Sequence, residues 1–169
     1  MILRSRILLA LAAVLVSVLI QTTLFREVRP LGVAPDLVLL TVIAAARWLD
    51  PQPAVLLGFT GGIVVDLLGA QVLGLRALAY TVVAYLTVRL RDRMEVNVIT
   101  CGAILVGLVA VGVLIIGVVG TLVQEQTVTS PGFARALLLI PLYDLVLGIA
   151  VLPLMTRLLR LSEREKALL

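Results

Sequence analysis

Asp66, Arg76 and Asp144 are the residues of this chain whose placement could carry chemistry, because each stands inside or at the edge of a long apolar stretch. A charged group at the centre of such a stretch costs about 2.5–3.5 kcal/mol on insertion scales and is normally sheltered by protein. Catalysis needs more than sheltered acids, and the rest of the sequence withholds it. There is no histidine for general-base work, no nucleophile set beside a base, and no glycine-rich phosphate loop. Gly61-Gly62 lies in mid-stretch and needs no ligand. Cys101 is the one cysteine, so a disulfide within the chain is impossible and the usual ligands of zinc and haem are missing. It reads as a small buried apolar residue. No cofactor or metal is expected. Acids without these companions do not make a hydrolase.

The spacing around Asp66 points to helix contact. Ala54, Gly58, Gly62, Asp66 and Ala70 recur every four residues and share one face of a helix. Small residues at that interval let a second backbone approach closely, and Asp66 projects from the same face into protein. Two readings of Asp66 stay open: a hydrated residue ending its helix near the membrane surface, or a functional contact. Arg76 opens the next stretch at the same level, across a turn containing Gly69 and Gly74, so an Asp66–Arg76 pair would lower the cost of both. Asp144 lies deeper, about 13 Å along its helix from Arg135, with Gly148 one turn on. In a later stretch Ala103, Gly107, Ala110, Gly117 and Thr121 fall near one seam, with Gly112 off it. Ordinary helix packing explains that seam.

Positioning these residues requires a membrane. Hydrophobic residues make up 62% of the 169, and mean hydropathy is +1.19, whereas soluble domains hold roughly 45–50%. The expected fold is all-α: one polytopic membrane domain with six transmembrane helices. The spans run about 7–25, 34–49, 54–70, 75–90, 96–123 and 136–159. Arg4 and Arg6 precede the first. It offers no small-residue cleavage pattern at Gln21-Thr22-Thr23-Leu24, so it reads as a retained anchor rather than a signal peptide. The second is marginal: Ala34 to Leu49 reaches about 24 Å against about 30 Å of hydrocarbon. Trp48, in the turn after it, stands where an interfacial anchor belongs. Pro141 and Pro153 should bend the sixth.

Net charge is +4, but the basic residues flank apolar spans, which points to membrane orientation and lipid headgroups rather than nucleic acid. With the N-terminus inside, ten basic residues face the cytoplasm: Arg4, Arg6, Arg47, Arg89, Arg91, Arg93, Arg157, Arg160, Arg164 and Lys166. Four face outward: Arg26, Arg29, Arg76 and Arg135. Over short loops that asymmetry places both termini in the cytoplasm.

In order and spacing, three motifs resemble the rod shape-determining protein MreD family. They are Pro35-Asp36-Leu37, the stretch Gly58-Phe59-Thr60-Gly61-Gly62-Ile63-Val64-Val65-Asp66, and Gly74-Leu75-Arg76-Ala77-Leu78. The resemblance covers nearly the whole chain, though the Val/Leu/Ala-rich fifth span carries no motif. It implies a non-enzymatic component of the bacterial cell-elongation machinery in the inner membrane. Such a component binds MreC and helps couple it to the glycosyltransferase RodA, its class B penicillin-binding protein and the MreB filament. The residues its motifs mark for partner binding or helix contact are Pro35, Asp36, Gly58, Gly62, Asp66, Gly74 and Arg76, to which the reading of the sixth span adds Asp144 and Gly148. The family is also held to resemble the substrate-binding subunit of energy-coupling-factor transporters, so the alternative is a vitamin-binding membrane subunit. Polar residues gathered in the outer half of the spans, rather than deep on several, favour the first.

Overall fold

The computed structural model describes residues 2–23, 32–69, 72–123 and 131–164. The expected positions Arg26, Arg29, Ala70 and Lys166 lie outside the described residues, as does the polar stretch 124–130. Six helices follow one another: α1 Ile2–Thr23, α2 Leu37–Ala46, α3 Pro51–Leu68, α4 Leu75–Met94, α5 Val98–Leu122 and α6 Pro131–Arg164. No strand occurs among the described residues. Among the described residues four stretches are long and apolar enough to cross a membrane: Ser5–Thr23, Pro51–Leu68, Val98–Leu122 and Gly132–Arg160. α4 is 20 residues long, but Arg76, Arg89, Arg91, Asp92 and Arg93 dilute its apolar character.

α2 organises the rest. All ten of its residues are buried, and it touches each of the other five helices. Its sequence explains this: LVLLTVIAAA has no polar face, and a helix apolar all round belongs in a core. At ten residues it is about 15 Å long, half the hydrocarbon thickness. The expected span 34–49 therefore shrinks at both ends. Pro35 and the capping Asp36 fix the start, and a turn at Arg47–Leu49 closes the end.

α3 and α4 form the closest pair. A Cβ added to Gly58 would lie 2.6 Å from the Tyr80 carbonyl oxygen, and one added to Gly62 would fall onto the backbone of Arg76 and Ala77. Gly61, on a second face, lies against Val14 of α1. Lipid is as apolar as these side chains, so close backbone approach rather than exclusion of water holds such helices together.

α5 differs from expectation. Its buried residues are Leu105, Leu108, Val109, Gly112, Val113, Gly117 and Gly120, whereas Ala103 and Gly107 are exposed. A Cβ on Gly112 would sit 2.8 Å from Leu39 Cδ2, while one on Gly107 would meet nothing. Gly112 is thus in the packed face and not off it. Small residues on a lipid-facing surface carry no penalty, so smallness alone did not locate the seam. α6 continues through Pro141 and Pro153 without interruption.

The helices alternate in direction, so basic residues collect at one end. Arg91 donates to the Leu49 carbonyl at 3.3 Å, and Arg160 lies 5.2 Å above the Trp48 ring. Trp48 is half-buried, its ring against Arg160. The opposite end holds Asp36, Asp66 and Arg76.

Candidate functional site

The site grows from the start of α2. The first amides of any helix lack partners within it, and inside a membrane no water replaces them. Here three side chains do. The Asp36 carboxylate accepts from the Leu39 amide at 3.1 Å. Gln21 Oε1 of α1 accepts from Val38 at 3.0 Å. Asp144 Oδ1 of α6 accepts from the amide of Asp36 itself at 3.0 Å. One end of a buried half-helix is thereby tied to both flanking helices.

Asp36 also carries the charge balance. The Tyr80 hydroxyl donates to its two oxygens at 2.8 and 2.7 Å, and the Arg76 guanidinium reaches Oδ2 at 3.5 Å. Gln21 Nε2 approaches Oδ1 at 3.5 Å. Arg76 lies 3.4 Å from the Tyr80 hydroxyl as well, one helical turn along α4. Tyr80 is fully enclosed and Asp36 is 7% exposed, so these bonds act where solvent screening is weak.

Asp66 does similar work at the head of α4. Its carboxylate accepts from the amides of Gly74 (2.9 Å), Arg76 (3.1 Å) and Ala77 (3.3 Å). Gly74 precedes α4 with φ +96°, a left-handed conformation that glycine adopts freely. This combination turns the chain so that three amides converge on one side chain. Asp66 is 3% exposed, so it is not hydrated, and its bonds to these amides are a structural contact within the chain. The Arg76 main-chain amide donates to Asp66, and the Arg76 guanidinium reaches Asp36.

The structure brings Pro35, Asp36, Arg76 and Asp144 into one cluster, with Asp66 and Gly74 beside it and Gly58 and Gly62 below. Asp144 is fully buried, and its Oδ2 has no hydrogen-bond partner among the described residues. Gly148 stands apart, further along α6, where a Cβ would meet Leu105 at 2.8 Å. Sequence reasoning missed Gln21 and Tyr80. Gln21 was visible as a polar residue at the end of an apolar span, but Tyr80 looked like any aromatic in a helix. Ser17 and Thr41, whose hydroxyls meet at 2.7 Å, add a second tie between α1 and α2. Nothing here resembles a nucleophile with its base. The arrangement is a polar lock that joins α1, α2, α4 and α6.

The family model described as rod shape-determining protein MreD matches residues 1–162. Neither a curated protein nor a solved structure matches the chain.

Proposed function

We propose, since the chain belongs to the rod shape-determining protein MreD family, that it is a non-enzymatic adaptor of the bacterial cell-elongation complex. In this reading it binds MreC within the inner membrane. Through MreC it helps couple RodA, the class B penicillin-binding protein and MreB to peptidoglycan synthesis. It crosses the membrane six times with both termini in the cytoplasm, α2 passing as a buried helix continued by its flanking turns. The ten-to-four distribution of basic residues supports that orientation.

The observation that carries the adaptor reading is that the Asp36 and Asp66 carboxylates are taken up within the chain. Asp36 and Asp66 spend their acceptor capacity on amides, Tyr80 and Arg76 of the same chain. That suits a rigid scaffold better than a vitamin pocket, whose polar groups must be free to take a ligand. Depletion of the protein in a rod-shaped host tests the proposal. Cells should round up while vitamin uptake stays normal. Retained rod shape, or an uptake defect without rounding, would count against it.

A further inference from the structure

At the basic end a cleft of 870 Å³ opens between α5 and α6, beneath the α2–α3 turn. Leu105, Leu145 and Leu152 give it an apolar wall, and Arg47, Arg157 and Arg160 a basic rim. Glu95, exposed in the α4–α5 turn, is the one acid among its lining residues, and Asn97 is engaged in capping α5. Among the described residues none of the three arginines forms an ion pair. Moreover, Arg47 Nε and Trp48 Nε1 are enclosed with no hydrogen-bond partner among those residues. Leaving such donors unmatched is costly, so an acceptor reached by a small side-chain movement would be favoured.

The cleft also opens sideways. Val98 and Ile149, which line it, are 88% and 77% exposed, and both face outward from the helix bundle. Its contents can therefore continue into the hydrocarbon. An apolar groove capped by guanidinium groups matches one chemistry: a phosphate on an acyl chain. Guanidinium forks bind phosphate oxygens in pairs, and basic pockets between spans take anionic headgroups.

We propose that this cleft binds an anionic phospholipid, its phosphate held by Arg47, Arg160 and the Trp48 indole and one acyl chain lying between α5 and α6. The proposal requires that the chain sits in a membrane and is independent of the partners named above. Native mass spectrometry of the full chain in detergent, supplied with equal phosphatidylglycerol and phosphatidylcholine, tests it. Wild type should retain phosphatidylglycerol selectively. Arg47→Gln combined with Arg160→Gln removes two charge-assisted contacts and should lower that retention at least about tenfold, the scale of losing one. Arg93→Gln, an exposed arginine at the same end but outside the lining, should leave it unchanged. Trp48→Phe leaves an aromatic ring beneath Arg160 but removes the indole N–H together with the five-membered ring; it should weaken selectivity even if the double variant does not fold. Equal retention of the two lipids would overturn the proposal. So would an equal loss in Arg93→Gln, full selectivity in Trp48→Phe, or displacement of the lipid by millimolar inorganic phosphate, which would mark a free-phosphate site.

Discussion

At Asp36, one carboxylate answers four donors from three helices: Gln21, Leu39, Arg76 and Tyr80. Removing a single donor isolates its share. Tyr80→Phe keeps the ring and deletes a hydroxyl buried against a charge, which should cost roughly 1–3 kcal/mol and lower the unfolding temperature of the purified protein. Asp144→Asn keeps an acceptor for the Asp36 amide and removes the ionisable carboxyl beside Asp36, so membrane abundance should stay near normal. A large drop would show that the carboxyl itself is needed. Asp66 gives a sharper test. From sequence, pairing of its side chain with Arg76 would let a double alanine change recover part of the defect of Asp66→Ala. The amide hydrogen bonds that Asp66 accepts point the other way. Asp66 binds main-chain amides that Arg76→Ala leaves in place, while Arg76→Ala strips a cation from Asp36. The double variant should be no more abundant in membranes than Asp66→Ala alone, and recovery would restore the side-chain pair.

At the scale of the helix, glycines report which faces touch. Gly58→Leu and Gly62→Leu force side chains into the α4 backbone and should reduce folded protein severely, as measured by the monodisperse fraction after extraction. Gly112→Leu should do the same against the fully buried Leu39, whereas Gly107→Leu meets open space and should be tolerated. Equal tolerance at Gly112 and Gly107 would contradict the packing of α5. The α3 stripe was legible in sequence because Asp66 shared its face and told inside from outside. On α5 no polar residue marked a face, and a run of Val, Leu, Ile and Gly looks alike from every side. α2 was legible as short and apolar, but its complete burial depends on five other helices. The cap on α2 was hidden for a similar reason: Gln21 and Asp144 reach it from 17 and 108 residues away. Local spacing finds caps made by neighbours in sequence, not those supplied by other helices.

Across the whole molecule the question is which way the charge asymmetry points and what the scaffold holds. In a Cys101→Ala background, Leu73→Cys and Val96→Cys place thiols at opposite ends, at residues 61% and 71% exposed. The first should react with an impermeant reagent in intact cells and the second only after permeabilisation; the reverse would invert the topology. The adaptor role itself is tested most directly by the amount of MreC recovered with the affinity-tagged chain from solubilised membranes, normalised to the tagged protein. MreC should be clearly enriched over the amount obtained with an unrelated polytopic membrane protein of equal abundance. Recovery no greater than that background, from well-folded protein, would contradict the adaptor role.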